Sequence, residues 1–217
     1  MDGRVKVLTP FQEEFIIALG RTPLQEPFFL TGGTALAAFY LEHRTSEDMD
    51  FFTEEEGQVS RVVPIVNDIA SALGGELDIK RNFRSYVEFF ITKGKVTLRC
   101  DFAQDSPYRL QAKVFRKEYG ISVDNALDIS CNKLSALYDR GEPKDFVDVY
   151  FIDRELIPFE KLVDEAKKKH IGLEHYFLAV SLAKVEEVRL LPRMLKPVTI
   201  EDLKKFFMDK AQWLMKR

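Results

Sequence analysis

The sequence predicts an α+β fold: a small mixed β-sheet core flanked by helices, followed by a helical C-terminal region. Three observations carry this. A short apolar run, Phe28 to Leu30, enters the double glycine Gly32-Gly33, and a second apolar run then holds Asp48 and Asp50. Three strand-like segments follow, at about 76–80, 85–91 and 96–102, the last two joined by Lys93-Gly94, a hairpin signal. From Leu127 onward the apolar positions fall at helical spacing.

Taken in order, Leu8, Phe11, Phe15, Ile16 and Leu19 recur at helical spacing and stop at Gly20, so a helix is expected over 8–20. Pro23 and Pro27 mark a loop. A strand at 28–31, the glycine turn, a helix at 34–43 and a strand at 48–52 come next. Glu54-Glu55-Glu56-Gly57 is a solvated loop. The stretch 59–73 has helical spacing and ends at Gly74-Gly75, a pair that closes a helix rather than opening one. Residues 122–125 form a further short strand or an extended loop. Helices are expected at about 127–139, 144–153, 159–169, 173–188 and 199–216, the last capped by Thr199. The organisation is a core over 1–126 and a helical region over 127–217 packed on it.

Composition narrows the classes. With 46% hydrophobic and 31% charged residues, a chain of 217 residues can build a full core and is neither disordered nor fibrous. Most of the 18 Phe lie in apolar runs, which favours core packing over base stacking. Cys100 and Cys131 have no ligand-spaced partner, so neither a disulfide framework nor a zinc site is expected, and a reducing cytoplasm fits. The Met-Asp-Gly-Arg start has no apolar signal core and no stretch reaches membrane length, so no membrane association is expected. A net charge of −3 argues against general nucleic-acid binding and leaves local basic patches open.

The glycine turn and the aspartate pair suggest a chemistry. Gly32 and Gly33 permit backbone angles closed to other residues, so the chain can turn sharply and bring its amides close to a ligand. The helix that follows aims its N-terminal N–H groups at that turn, which favours anions. Asp48 and Asp50, two apart on a strand, share one face at roughly 7 Å spacing. Like charges so placed repel unless a cation joins them. Phosphate donors beside metal-binding carboxylates are what metal-assisted phosphoryl transfer needs.

The pattern Gly-Gly, helix, Asp-x-Asp resembles the polymerase-beta-type nucleotidyltransferase superfamily. The fuller string is Gly32-Gly33-Thr34-Ala35-Leu36, Arg44-x-Ser46-x-Asp48-x-Asp50-Phe51-Phe52, then Lys133 and Arg140-Gly-Glu-Pro-Lys144-Asp145-Phe-Val-Asp148. It resembles the AbiEii/MenA branch of toxin nucleotidyltransferases, over about 28–150 and more loosely beyond. The resemblance implies a nucleotidyltransferase core and two Mg2+ ions held by Asp48, Asp50 and Asp101, with Asp101 also the general base and Asp105 its fallback. It implies nucleoside triphosphate binding by Gly32, Gly33 and Thr34, with Lys133 on the triphosphate and Lys144 and Asp145 orienting or bracing it. It further implies an acceptor that is an RNA end such as tRNA, or a protein, and a cognate antitoxin that neutralises the toxin. A non-catalytic nucleotide-binding regulatory module with the same fold is the alternative.

Several residues keep two readings. Asp101 is either the third catalytic carboxylate or a strand-end carboxylate paired with Arg99, which shares its face. Ser46 either donates to a phosphate or fixes its loop, and Arg44 is a candidate counter-ion for Asp48. Arg140 equally suits a salt-bridged scaffold, and Asp148 reads as structural. His43, His170 and His175 have no convergent partners in sequence and read as structural or surface residues.

Overall fold

The computed structural model describes residues 7–217; Met1 to Lys6, including the start read as lacking a signal core, lie outside the described residues. The chain forms two compact units. One comprises the chain up to Ala38, Ser46–Tyr108 and Ala112–Asn125; the other comprises Phe39–Thr45, Arg109–Gln111 and Ala126–Arg217.

The first unit is built on a mixed sheet. Its strands are β1 (Phe28–Thr31), β2 (Met49–Thr53), β3 (Glu76–Phe83), β4 (Tyr86–Lys93), β5 (Val96–Gln104), β6 (Val114–Arg116) and β7 (Ile121–Val123). They lie side by side in the order β3-β4-β5-β2-β1-β7-β6. The β2–β5 and β1–β7 pairs are parallel and the others antiparallel. Three helices accompany them: α1 (Pro10–Leu19), α2 (Gly32–Leu36), which continues as a π-helical turn over Ala37–Leu41, and α3 (Val62–Ala72).

Period-two alternation gives the sheet two unlike faces. Phe51 of β2, Phe89 of β4 and Phe102 of β5 point to one side and are fully buried. Phe102 stacks on Phe51 at 4.8 Å and on Phe89 at 5.8 Å, while Phe15 of α1 meets Phe51 edge-on at 6.0 Å. Each buried Phe contributes about 2–3 kcal/mol of transfer free energy, so this face anchors the sheet under α1. That leaves Asp50, Glu88 and Asp101, on the alternate positions, to the opposite face. The core reading of the phenylalanines holds for Phe15, Phe28, Phe29, Phe51, Phe89 and Phe102, though Phe83 and Phe115 are exposed.

The second unit is helical: α4 (Ala126–Asp139), α5 (Pro143–Glu155), α6 (Phe159–Lys169), α7 (His175–Ala183) and α8 (Ile200–Leu214). Thr199 and Asp202 cap α8 reciprocally. The short segment 109–111 is tied to this unit by buried Asp128, whose carboxylate accepts from the Leu110 and Gln111 amides and from Lys169 Nζ at 2.6 Å.

Two local expectations are corrected. The helix expected at 34–43 starts at Gly32 and widens to π geometry from Ala37. The strand β6 was not anticipated, because three residues are too short to show alternation; it exists by pairing with β7.

Candidate active site

The turn after β1 is built around a contact that only glycine allows. Gly32 has φ +70°, and a Cβ there would lie 2.0 Å from Asp50 Oδ2. The Asp50 carboxylate therefore rests directly against the first residue of α2. Thr31, in the capping position, makes no side-chain cap; its hydroxyl donates instead to Asp124 Oδ2 at 2.9 Å. The first-turn N–H groups of α2 thus keep no side-chain acceptor from their own cap residue. Thr34 is buried and its hydroxyl donates to the Asp48 carbonyl, so its hydroxyl holds the entry to β2 and its backbone N–H is what it can offer an anion.

Register brings the acidic residues into a row. Thr31 is opposite Asp50, Asp50 opposite Asp101, and Asp101 opposite Glu88. Directly opposed residues share a face, so three carboxylates cross β2, β5 and β4 side by side, with Asp48 one pleat behind Asp50. Asp101 is buried, and Tyr86 donates to its Oδ1 at 2.7 Å. Burial pushes the Asp101 carboxyl above the ordinary carboxylate range, against the Tyr86 hydrogen bond and the Arg99 charge, with Glu88 and Asp48 adding to the rise. Burial and the same hydrogen bond raise Tyr86 to about 12.

A guanidinium stands among these acids. Arg99 reaches Asp101 Oδ2 and Glu88 Oε1 at 3.1 Å each and Asp48 Oδ2 at 3.8 Å. Among the described residues, no three His, Cys, Asp or Glu side chains converge as a ready-made metal cluster. Asp105 lies past the end of β5, where its carboxylate accepts from the Ser106 amide. Ser46 is used through its backbone: its carbonyl and that of Glu47 accept from Gln12 Nε2 at 3.0 Å.

The remaining sequence candidates belong to the helical unit. Asp148 of α5 is fully buried and accepts from His43 Nε2 (2.7 Å), Arg44 Nε (2.7 Å), Arg44 NH2 (2.8 Å) and Lys133 Nζ (2.8 Å). Burial alone would raise its carboxyl, but the charges of Lys133 and Arg44 and the hydrogen bonds from Arg44 and His43 hold it well below the usual range. Burial pushes His43 down, against its hydrogen bond to Asp148. Asp145 is also fully buried; it accepts both Arg140 Nε and NH2 at 2.8 Å and caps α5 through the Glu142 amide. Lys144 pairs with Glu142 at 3.1 Å. The same unit holds a cavity of about 590 Å3 lined by Leu110, Leu127, Ile157 and Lys161 among others, and none of the sequence candidates lines it.

The family of AbiEii toxin nucleotidyl transferases of type IV toxin–antitoxin systems matches residues 15–214. The chain belongs to the AbiEii nucleotidyltransferase toxin family. An uncharacterized protein of Aquifex aeolicus strain VF5 is 29% identical over 185 residues, 81% of each chain. A crystal structure of a candidate nucleotidyltransferase from Helicobacter pylori superposes with a TM-score of 0.63 at 20% identity, covering 94% of this chain and 91% of that one. The nucleotidyltransferase toxin MenT4 of Mycobacterium tuberculosis H37Rv gives 0.57 at 14% identity, over 95% of this chain and 82% of that one. At these identities the two structures speak for the fold, and the family match for the activity: the AbiEii-family chain is a nucleotidyltransferase.

Within this AbiEii-family enzyme, one option of the sequence reading is corrected. Arg44 is not the counter-ion of Asp48; it is buried on Asp148, and Arg99 is the cation beside Asp48. Sequence reasoning also passed over Glu88, Tyr86 and Asp124. Each is one polar residue at an outward position of a strand or at its end, a pattern that solvated positions share. Register with Asp101 distinguishes Glu88, and hydrogen bonds to Asp101 and from Thr31 distinguish Tyr86 and Asp124.

Proposed function

We propose that this enzyme moves a nucleoside monophosphate from a nucleoside triphosphate to an acceptor hydroxyl, on an RNA end such as that of tRNA or on a protein, with Mg2+ as cofactor. The observation that carries the reading is the Asp50 carboxylate seated against Gly32, with Asp101 as its direct neighbour in register. Carboxylate oxygens are the donors Mg2+ prefers, so Asp48, Asp50 and Asp101 fit a pair of ions chemically. When bound, the ions polarise the α-phosphate and make the acceptor hydroxyl more acidic.

The protein's own groups do the rest. Asp101 accepts the proton of the acceptor hydroxyl, and the Tyr86 hydrogen bond fixes the orientation of its carboxylate. The backbone N–H groups of Gly32, Gly33 and Thr34 receive phosphate oxygens at the start of α2. In the Asp148 cluster, Arg44 and Lys133 bring two positive charges to one carboxylate. That surplus supports assigning Lys133 to the charge of the outer phosphates. Ser46, Lys144 and Asp145 complete the proposed nucleotide-binding set. We assign catalysis to a core over 1–126 and a supporting role to the helical region over 127–217.

Membership in a toxin family supports reading the protein as the toxin of a pair, opposed by a cognate antitoxin. Among the described residues, no helix is long and apolar enough to cross a membrane. The test is incubation with each labelled triphosphate in turn, with total RNA and with total protein, using Asp50→Asn as the blank. Label entering RNA or protein only with the wild-type chain is the expected result. Triphosphate binding without transfer to either would overturn it in favour of a nucleotide-binding module.

A further inference from the structure

Arg99 is the best-connected cation on the acidic face, and its contacts are unlike those of an ordinary surface ion pair. One guanidinium spans three carboxylates from three strands: Asp48 ahead of β2, Asp101 on β5 and Glu88 on β4. Two of the three are residues assigned above to Mg2+. The third, Glu88, is buried and is bound on its other side by Arg81 at 3.2 Å. Yet Arg99 is not fully satisfied. Its Nε is buried and has no hydrogen-bond partner, while the side chain remains 38% exposed. A group so placed is held through its terminal nitrogens, chiefly by charge, and its side chain stays partly open to solvent.

We propose that Arg99 is a resident counter-cation that competes with the divalent ion for Asp48 and Asp101, and that Glu88 is the anchor that retains it when the ion enters. The inference rests on the metal-dependent reading. A planar five-donor guanidinium suits this part, because it can span several carboxylates at once where an ammonium acts as a point charge. Without a cation between them, Asp48, Asp50, Asp101 and Glu88 would set four acids on one face, a repulsive arrangement. With Arg99 in place the face is stable at low divalent concentration, and the site fills only when the ion outcompetes the guanidinium. Glu88, which faces Asp101 in register but is not assigned to the metal, keeps the displaced arginine on the sheet. The expected consequence is a higher divalent threshold for occupancy, set by Arg99 rather than by the carboxylates alone.

The experiment is a direct titration of Mn2+, read by loss of the free-ion electron paramagnetic resonance signal and repeated with Mg2+ by calorimetry, with circular dichroism melts as a fold check. Wild type is compared with Arg99→Gln, Arg99→Lys, Arg81→Gln and Asp50→Asn. Removing one unit charge a few Å from the ion in a partly solvated site should tighten binding by about tenfold in Arg99→Gln. Arg99→Lys keeps the charge but loses the fork, and should fall between Arg99→Gln and wild type. Among the described residues the acid Arg81 pairs with is Glu88, not Asp48 or Asp101, so Arg81→Gln should tighten binding much less, and the gap between it and Arg99→Gln should persist in high salt, where distant charges are screened. A structural role for Arg99 would weaken binding or leave it unchanged, which overturns the proposal, as does equal tightening in Arg81→Gln. If Arg99→Gln does not fold, Arg99→Lys decides: affinity at or below that of wild type is the refuting result. Asp50→Asn separates the two levels of the argument. Undiminished metal binding in Asp50→Asn defeats the metal-dependent reading itself, whereas lost binding in Asp50→Asn with no gain in Arg99→Gln defeats only the role of Arg99.

Discussion

Replacing Gly32 by alanine tests the contact on which the candidate site rests, and a second glycine supplies the reference. Gly74 has the same φ of +70°, but a Cβ there would meet nothing within 4 Å. Gly74→Ala therefore measures the strain of the left-handed backbone alone, about 1–2 kcal/mol. Gly32→Ala carries that strain and also sets a Cβ 2.0 Å from Asp50 Oδ2 and 2.8 Å from Asp50 Cγ. Ordinary contact needs about 3.5 Å, so the carboxylate must move by more than an ångström. Forcing the side chain off its rotamer adds about 0.5–1.5 kcal/mol. For a chain of this size each kcal/mol lowers Tm by roughly 2–4 °C, so Gly32→Ala should melt a few degrees below Gly74→Ala. The functional gap should be far wider, because misplacing a reacting group by about 1 Å can cost on the order of a hundredfold in rate. Thermal melts and labelled-nucleotide transfer on both variants are the assays. Equal Tm and equal transfer in the two alanine variants would refute the close approach of Asp50 to the turn.

Three other outcomes are expected. Asp50→Asn should lose transfer while its melting temperature stays at or slightly above that of wild type, since a like charge leaves the acidic row; an unfolded Asp50→Asn would mark the aspartate as structural. Asp148→Asn should cost about 3–5 kcal/mol, because it leaves Arg44 and Lys133 buried without their carboxylate. Since the Asp148 carboxyl is held below its ordinary range, its stabilisation is present above the unfolded-state pKa and lost only as pH falls through the depressed folded-state value. The Tm difference between wild type and Asp148→Asn should therefore not shrink between pH 7 and pH 5, and loss of the carboxylate that favours His43 protonation can only widen it; a gap that closes over that interval would count against the cluster. Lys133→Ala should weaken triphosphate binding more than monophosphate binding in equilibrium titrations, with Lys133→Arg only partly restoring it. Equal losses for both nucleotides would place Lys133 in support of its helix instead.

Which parts of this were legible in the chain follows from how local their causes are. Strand β1 announces itself as a short apolar run, β2, β4 and β5 by alternation, and the helices from Ala126 onward by their apolar spacing, because those signals lie within a few neighbouring residues. Asp48 and Asp50 are legible as a pair for the same reason, a spacing of two that reads as one strand face, although β2 begins at Met49 and Asp48 lies just ahead of it. The partners of those residues are not local. Asp101 lies about fifty residues from Asp50, and their adjacency is a fact of parallel register. Arg44 illustrates the failure. Its sequence position suggested Asp48, four residues away, but its charge is met by Asp148 more than a hundred residues on.

The sequence by itself determined the class of the fold, the glycine turn and the spacing of the acidic pair, since backbone freedom, side-chain period and apolar patterning are properties of short segments. Only the tertiary structure decided that Gly32 touches Asp50, that Glu88 extends the acidic row and that Arg99, already on the face of Asp101 by period two, also reaches Glu88 and Asp48. Those depend on which strands become neighbours and in what register. Burial of the phenylalanine face sets that choice over the whole sheet, because slipping one strand by a residue would turn its core side chains out to water.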